Sequence, residues 1–212
     1  MEKVFELKAL KFKGILDIPD LTFYKGITSI IGKSGSGKTT LMLALNKMIT
    51  PTSGDVYYHG ENIKDMDAVK LRRKVLMLGQ QPIIFPGNVR DNLNQGLKFA
   101  KKELADDKKL KELLDYVDLD KDLEDDPSEF SGGEKQRIAI GRVIAMDPDV
   151  YLLDEPSSAL DSELANNTIE KLSQIAKEKG QTIIMVTHSE EIAKNISDKI
   201  LFIDKGRVVK YE

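Results

Sequence analysis

Cysteine is absent from this chain of 212 residues, and neither sign of charge is in large excess. Without cysteine there is no disulfide bond, no thiolate metal site and no cysteine nucleophile, which fits a reducing compartment. The 32 Lys and Arg residues stand against 35 Asp and Glu, for a formal net charge of −3. Because binding to a phosphate backbone needs an excess of basic charge, we expect no nucleic-acid partner.

Long hydrophobic runs are missing as well. No apolar stretch approaches the roughly 20 residues that span a bilayer, and residues 1–6 carry charge where a signal peptide needs an apolar segment. We therefore expect a cytoplasmic protein that reaches a membrane only through a partner. Internal repeats and low-complexity linkers are also absent from the sequence. We expect residues 1–212 to form one domain, since this length suits a single sizeable core.

The hydrophobic pattern predicts a mixed α/β fold. Residues 4–12 and 15–23 tend to alternate between apolar and polar side chains, which predicts an N-terminal antiparallel β subdomain. Residues 88–145 predict a small helical subdomain whose many charges are interpreted as a solvated surface. Elsewhere strands alternate with helices, which predicts a parallel sheet with covered faces. The predicted strands are 27–31, 56–58, 150–153 and 182–187, the helices are 41–48, 132–146 and 162–179, and residues 200–209 form a terminal hairpin.

Residues 32–39, GKSGSGKT, match the phosphate-binding pattern G-x-x-x-x-G-K-[ST] between a predicted strand and a predicted helix. Glycines in such a loop let backbone N–H groups converge on phosphate oxygens at a helix N-terminus. We expect Lys38 to reach the β- and γ-phosphates and Thr39 to bind Mg²⁺. A glycine-rich turn without function is the alternative, which the flanking elements disfavour. The predicted nucleotide-binding residues here are Gly32, Lys33, Ser34, Gly35, Ser36, Gly37, Lys38, Thr39 and Thr40.

Two carboxylates follow the predicted buried strand that begins at residue 150. We expect Asp154 to hold the Mg²⁺ shell and Glu155 to polarise an attacking water. Downstream of a phosphate-binding loop, this pair indicates a P-loop NTPase. That class includes GTPases, helicases and kinases, so other motifs must decide the branch.

The deciding motif is FSGGEKQR at residues 130–137, which we call the signature segment. Ser131 is placed to cap a helix, while Gly132 and Gly133 allow close backbone approach, so the positive end of that helix forms a second anion site. An ordinary capped helix is the alternative. The segment resembles the signature of the ATP-binding-cassette (ABC) family, and the resemblance covers the chain from about residue 5 to residue 209.

The signature segment departs from the usual family pattern at two positions. Phe130 stands where the family usually has leucine, and Glu134 where it usually has glutamine, although glutamate is a familiar variant there. The serine and both glycines are kept. We therefore expect ATP binding between subunits to survive these changes.

The resemblance implies a P-loop NTPase ABC ATPase fold with a RecA-like parallel-sheet core, an N-terminal antiparallel β subdomain and a small α-helical subdomain. It also implies ATP as ligand, Mg²⁺, and hydrolysis to ADP and phosphate. In the family two subunits form a head-to-tail dimer, and the signature of each completes the nucleotide site of the other. The remaining partner would be a transmembrane permease subunit, with the ATPase peripheral on the cytoplasmic face of the membrane. The signature residues carried over as ATP contacts are Ser131, Gly132, Gly133 and Glu134.

Further residues match family motifs one by one. Gln80, with Gln81 as the adjacent competitor, corresponds to the glutamine near Mg²⁺ and the attacking water. Asp161 resembles the aspartate that communicates across the dimer, and a helix cap is its compatible alternative. His188 resembles the histidine that contacts the γ-phosphate, whereas His59 lacks that context. Glu155, His188, Gln80 and Lys38 are thus the predicted catalytic residues, and Thr39, Gln80 and Asp154 the predicted Mg²⁺ ligands.

An aromatic residue upstream of the phosphate-binding loop often stacks on adenine in the family. Phe12 is the predicted residue here, with Phe23 and Tyr24 left open and a role in the core as the alternative.

The competing function is a non-transport ABC ATPase in translation or DNA maintenance. DNA-repair members insert a long coiled coil between loop and signature, and no heptad arm separates Lys38 from Ser131. Translation members usually carry two cassettes, and this sequence has one of each motif. The pattern therefore favours a transporter subunit. The sequence is similar to those of the small iron-exporter ATPases, and a role in importing or exporting amino acids or peptides is left open as the alternative.

Overall fold

The computed structural model describes residues 1–212, apart from the side chain of Ser162. A four-stranded antiparallel sheet has the order β2-β1-β4-β5. The left-handed conformation of Lys13 and Gly14 turns the chain from β1 into β2. This sheet confirms the expected N-terminal antiparallel strands. Its strands are β1 (Lys3–Phe12), β2 (Leu16–Tyr24), β4 (Ser53–Tyr58) and β5 (Glu61–Asn62).

The second sheet has six strands in the order β10-β9-β3-β8-β7-β6. All neighbouring pairs are parallel except β10 with β9, which form the expected C-terminal hairpin. The central strands β7 and β8 are buried along their whole length, as parallel strands covered on both faces must be. The strands are β3 (Ile27–Ile31), β6 (Val75–Leu78), β7 (Val150–Asp154), β8 (Thr182–Val186), β9 (Lys199–Asp204) and β10 (Arg207–Tyr211).

Seven α-helices and one 3-10 turn at Pro127–Glu129 complete the described secondary structure. Six of the seven begin with a side chain that accepts a hydrogen bond from the first turn, whereas α1 follows Gly37 without one. None of the described helices has both the length and the apolar character that crossing a membrane requires. The helices are α1 (Lys38–Leu45), α2 (Ala68–Lys74), α3 (Val89–Ala100), α4 (Asp107–Tyr116), α5 (Gly132–Met146), α6 (Ser162–Glu178) and α7 (Glu190–Ile196).

Two hydrophobic cores lie on opposite faces of the six-stranded sheet. The first joins the antiparallel sheet to α1 and includes Leu7, Leu41 and Leu152. The second lies under α3 to α6 and includes Leu113 and Tyr151. Because side chains alternate along a strand, β7 contributes to both cores, and its carboxyl end is held firmly between them.

The helix after the phosphate-binding loop differs from its prediction at both ends. It spans Lys38–Leu45, not residues 41–48. It starts earlier than predicted because Gly37, the last residue of the loop, leads directly into the helix. It ends early because Lys47 adopts a left-handed conformation, and the Met48 N–H bonds the Leu43 carbonyl across the helix end. The sequence patterns also did not predict α2, β6 or α7.

Candidate functional site

The loop of residues 32–37 leaves the carboxyl end of β3, in the middle of the parallel sheet, and enters α1. It packs too closely against its neighbours to carry side chains at two glycines. A Cβ at Gly32 would lie 2.2 Å from the Ile203 carbonyl oxygen, and one at Gly37 would lie 2.8 Å from Leu16 Cδ2. Gly37 also has a φ of 100°, which glycine adopts without strain. Both glycines therefore shape the cradle.

Several donors of the cradle have no side-chain acceptor within the described structure. No side chain caps α1, so the amides of its first turn are open to an anion on the positive end of the helix dipole. Lys38 Nζ donates to the carbonyl oxygens of Gly32 at 2.7 Å and Lys33 at 3.0 Å, so its ammonium group lies directly over the loop. The buried Ser36 hydroxyl has no partner within the described residues. This donor set fits a polyphosphate.

Asp154 ends β7 beside the cradle. Its side chain is buried and lies near the Thr39 side chain at the start of α1. Burial raises the pKa of the Asp154 carboxyl, an effect that the Thr39 contact and the nearby Lys38 ammonium group oppose. A hydroxyl and a carboxylate are the oxygen ligands that Mg²⁺ prefers. Within the described side chains, no group of three His, Cys, Asp or Glu residues is placed to hold a metal ion.

Glu155 lies at the centre of a cluster drawn from three strand ends. Gln80, after β6, donates its Nε2 to Glu155 Oε2 at 2.9 Å. His188, after β8, places its Nε2 2.8 Å from Glu155 Oε1. Gln81 is exposed, and no hydrogen bond of its side chain occurs within the described structure. The structure therefore brings Gln80 and His188, but not Gln81, to the predicted base.

The signature segment begins α5 with a reciprocal cap. The Ser131 hydroxyl accepts from the Glu134 N–H at 3.3 Å, and Glu134 Oε2 accepts from the Ser131 N–H at 2.8 Å. Lys121 and these Ser131 contacts lower the pKa of Glu134 to about 2. A Cβ at Gly133 would lie 3.0 Å from the Ala159 carbonyl oxygen, so Gly133 allows α5 to pack close to the chain before Asp161. Within the described part of the chain, no hydrogen bond joins residues 131–134 to residues 32–40.

The remaining predicted residues occupy varied positions. Asp161 caps α6 by accepting from the Leu164 N–H at 3.0 Å, so its structural role is observed directly. Phe12 ends β1, and its carbonyl accepts from the Ile15 N–H in the turn that leads into β2. This turn lies beside the cradle, since a Cβ at Gly37 would be 3.2 Å from the Ile15 carbonyl oxygen. Phe23, by contrast, is fully buried in the first core. His59 packs edge-on against Tyr58, away from the Glu155 cluster.

One residue that orders the site had no signal in the sequence. Arg142 on α5 donates its Nη2 to the Ile83 carbonyl at 2.6 Å, and its guanidinium group lies 4.8 Å from the centre of the Phe85 ring. It therefore links the signature helix to the segment that follows Gln80. Desolvation lowers the pKa of Arg142 to about 10. Because the contact spans 59 residues, no local pattern could have indicated it.

Comparison with known proteins places this geometry in a family. The profile described as "ABC transporter" matches residues 16–158. The chain belongs to the ABC transporter family. The matched region includes the cradle, Gln80, the signature segment and Glu155, whereas His188 lies outside it. The ATP-binding domains of this family hydrolyse ATP.

Curated relatives of this ABC domain come from plants and bacteria. "Protein STAR1" of Oryza sativa is 42% identical over 90% of the chain and 56% of its own length. "Methionine import ATP-binding protein MetN" of Corynebacterium efficiens is 38% identical over 92% of the chain and 56% of its length. "Glutamine transport ATP-binding protein GlnQ" of Escherichia coli is 39% identical over 90% of the chain and 82% of its length. The chain thus spans about half the length of the first two.

A solved structure confirms the predicted fold class. It is the dimeric post-hydrolysis state of an ATP-binding cassette bound to ADP and phosphate. The TM-score is 0.84 at 26% sequence identity, and the match covers 98% of this chain and 97% of that one. The ABC ATPase fold, with its parallel and antiparallel sheets, is therefore shown for this chain.

Proposed function

We propose that this chain is the ATP-binding and ATP-hydrolysing subunit that powers an ABC transporter, through ATP-dependent dimerisation and hydrolysis to ADP and phosphate. The observation that carries the proposal is the convergence of Gln80 and His188 on Glu155, next to an α-helix whose N-terminus lacks a side-chain cap. Membership of the family supports ATP as the ligand. The cluster of Gln80, Glu155 and His188 supports hydrolysis as the reaction.

The cradle is the proposed triphosphate site. The open amides of α1 and the Lys38 ammonium group bind the phosphate oxygens, and Lys38 exchanges its contacts with the Gly32 and Lys33 carbonyls for the β- and γ-phosphates. Thr39 and Asp154 would hold Mg²⁺, with Gln80 as the third predicted ligand. Bound there, Mg²⁺ supplies positive charge that offsets the charge developing on the phosphate oxygens. Phe12, in the turn beside the cradle, is proposed to stack on adenine.

Glu155 is the proposed general base. Water attacks the γ-phosphorus, Glu155 accepts the proton of that water, and ADP and phosphate are the products. Both carboxylate oxygens of Glu155 already hold a hydrogen bond, which fixes the plane of the group. Gln80 and His188 therefore orient the base, and His188 also lies where it can contact the γ-phosphate.

The signature segment is proposed to act on a second subunit, either identical or related. Within the described structure, the Ser131 cap makes no hydrogen bond to the cradle of its own chain, and the similar solved structure is a dimer. Ser131, Gly132 and Gly133 would then complete the nucleotide site of the partner, and closure would follow from the γ-phosphate contacting both subunits. A transmembrane permease is the proposed second partner, which places the ATPase on the cytoplasmic face of the membrane.

The names of two relatives bear on the transported substrate. Methionine import and glutamine transport favour a small organic substrate for this chain over iron. Membership of the small iron-exporter subfamily rests on the signature segment and the helical residues 88–145 alone. We therefore propose it only as the narrower alternative.

The test of the base is Glu155→Gln. We expect nucleotide affinity to be retained and turnover to fall by about 100-fold or more, since a positioned general base contributes 10² to 10⁴. Gln80→Ala should also slow turnover, whereas the matched control Gln81→Ala should not. Undiminished hydrolysis by the Glu155→Gln protein would contradict the assignment. Lys38→Ala should lose nucleotide affinity, because it removes the charge over the cradle.

The test of the transporter role is capture of partners. The Glu155→Gln protein, loaded with ATP, should co-purify with a membrane protein from its native membranes. Ribosomes or DNA in its place would support the non-transport alternative and overturn the transporter role.

A further inference from the structure

The chain just before the signature segment is strongly acidic. Residues 117–130 contain seven Asp and Glu residues and a single cation, Lys121. If the signature meets the triphosphate of a second subunit, as the proposed function requires, this acidic stretch lies next to an incoming polyanion. Like charges repel, and the repulsion is strongest where water is excluded. Cations from outside the stretch offset part of this charge, since Arg90 pairs with Glu124, Lys171 pairs with Asp118, and Lys135 donates to the Ser128 carbonyl. Lys121 is the cation within the stretch itself.

Lys121 contacts both residues at which the signature segment departs from the usual family pattern. Its Nζ lies 3.0 Å from Glu134 Oε1. The same Nζ lies 4.6 Å from the centre of the Phe130 ring, in a cation–π arrangement. Leucine at 130 would offer no π-face, and glutamine at 134 would offer no charge. The two departures thus create one binding site for a single ammonium group.

The Lys121 contact continues into the cap of α5. Glu134 uses Oε1 for Lys121 and Oε2 for the Ser131 N–H, so one carboxylate joins the lysine to the serine. The Lys121 and Glu134 side chains are only 31% and 23% exposed, which limits screening by water. The low pKa of Glu134 keeps the carboxylate ionised at every physiological pH. Without Lys121, a full negative charge would stand at the end of α5 that must accept phosphate.

The loop that carries Lys121 is itself anchored to α6. Asp118, in a left-handed conformation, accepts from Asn167 Nδ2 and from Lys171 Nζ, each at 2.6 Å. Lys121 is therefore held at a fixed place relative to the signature segment.

We propose that Lys121 is a positioning residue of the shared nucleotide site: it neutralises Glu134 and, through Glu134, holds Ser131 and the start of α5 ready for the γ-phosphate bound to the partner subunit. The inference rests on the proposed function, because it requires ATP to be shared between two subunits. It assigns a role to a residue outside every motif that identified the site.

The test uses Lys121→Met in the Glu155→Gln background, with ATP-dependent dimerisation measured by analytical ultracentrifugation. We expect the dimer dissociation constant to rise about tenfold or more, which is about 1.4 kcal/mol. ATP affinity of the monomer should not change, because the cradle is intact. The thermal midpoint should stay within a few degrees, since a partly exposed ion pair contributes little to folding.

Rescue separates positioning from a loss of fold. Adding Glu134→Gln to Lys121→Met removes the unpaired charge and should restore most of the dimerisation. The matched control is Lys111→Met, which removes an exposed cation beside the same surface cleft and touches neither Glu134 nor Phe130; it should dimerise normally. Equal loss in the control, or no rescue by Glu134→Gln, would mean that Lys121 acts only through general charge or folding, which overturns the inference.

The outcome also distinguishes this inference from the proposed function. If the Glu155→Gln protein dimerises with ATP and Lys121→Met makes no difference, only the inference fails. If the Glu155→Gln protein itself does not dimerise, the shared site is wrong and both fail.

Discussion

At the scale of a single residue, Glu155 has an unusual backbone conformation. Its φ of 51° lies in the left-handed region, which costs energy for a residue with a Cβ. Its N–H nevertheless bonds the Val186 carbonyl at 3.1 Å, which holds the turn in place. The turn directs the carboxylate across the ends of β6 and β8, where Gln80 and His188 meet it. Backbone strain at this position therefore serves the geometry of the candidate base.

Asp154 should give the nucleotide site a pH dependence. As the proposed Mg²⁺ ligand, Asp154 would bind only in its ionised form, and because burial raises its pKa, protons compete for the carboxylate at a higher pH than for an ordinary aspartate. We expect the Mg²⁺-dependent part of ADP affinity to fall as the pH is lowered from neutral through that raised pKa. Titration calorimetry with Mg²⁺–ADP measures it, and ADP with excess chelator is the control. An equal decline in both titrations would show that another group is responsible.

The N-termini of the α-helices differ in whether a side chain caps them. Asp67, Asn88, Asp106, Ser131, Asp161 and Ser189 each cap their own helix, and only α1 among the described α-helices lacks such a side chain. A side-chain cap satisfies one or two of the four open amides of a first turn. The helix that lacks a cap is the one that begins at the cradle, whereas α5 keeps its Ser131 cap although its N-terminus is also proposed to meet phosphate.

Asp161 allows the capping role to be separated from communication across the dimer. Asp161→Ala should lower the free energy of unfolding by about 1 kcal/mol, whereas Asp161→Asn should change it little, because asparagine caps a helix as well as aspartate does. If Asp161 also communicates across the dimer, both variants should slow ATP turnover several-fold. Chemical denaturation and a steady-state ATPase assay give the two values.

The control for Asp161 is Asp67→Ala, which removes an equivalent cap from α2. It should cost similar stability and leave turnover unchanged. Normal turnover in Asp161→Asn would leave capping as the whole role of that residue.

Local patterns in the sequence predicted the elements whose signal is complete within one segment. The helix at 132–146 and the hairpin around the Asp204–Arg207 turn are confirmed, since the first has a cap with helix formers and the second a glycine turn between β-branched runs. α2 and α7 escaped prediction because each is only seven residues long. β6 escaped because four apolar residues directly after a helix do not distinguish a strand from its continuation.

The residues of the candidate site also differ in whether a local sequence pattern indicates them. Gly32, Lys38, Asp154 and Ser131 lie within contiguous motifs, so their types and spacing sufficed to predict them. Gln80 was also predicted from its motif, with Gln81 as the competitor, and the fold adds the contact with Glu155 that Gln80 makes and Gln81 does not. Contacts between distant segments, such as Arg142 with Ile83 or Lys121 with Glu134, leave no local pattern, because they are set by how helices and loops pack.

At the scale of the whole molecule, cradle and signature are the proposed halves of one shared nucleotide site, and no hydrogen bond joins them within the described part of the chain. This arrangement predicts complementation between two inactive variants. Lys38→Ala disables the cradle, and Gly132→Glu disables the signature by adding bulk and negative charge where phosphate must approach. Gly132 tolerates a side chain in the monomer, since a Cβ there meets nothing within 4 Å. A mixed dimer would hold one intact nucleotide site.

We expect each variant alone to be inactive and an equal mixture to regain up to about a quarter of wild-type turnover. Random pairing makes half of the dimers mixed, and each of these has one working site of two. A steady-state ATPase titration of one variant into the other measures the gain. No gain at any ratio would contradict a site shared between subunits.

The bare N-terminus of α1 also makes the nucleotide part of what keeps the protein folded. A ligand that binds only the native state adds RT ln(1 + [L]/Kd) to its stability, about 2.7 kcal/mol when its concentration is 100 times Kd. No side chain caps the first turn of α1, and phosphate oxygens would take over the part that an Asp, Asn or Ser side chain plays at the other six described α-helices. The resistance of this ATPase to heat and proteolysis should therefore rise and fall with the ATP supply of the cell.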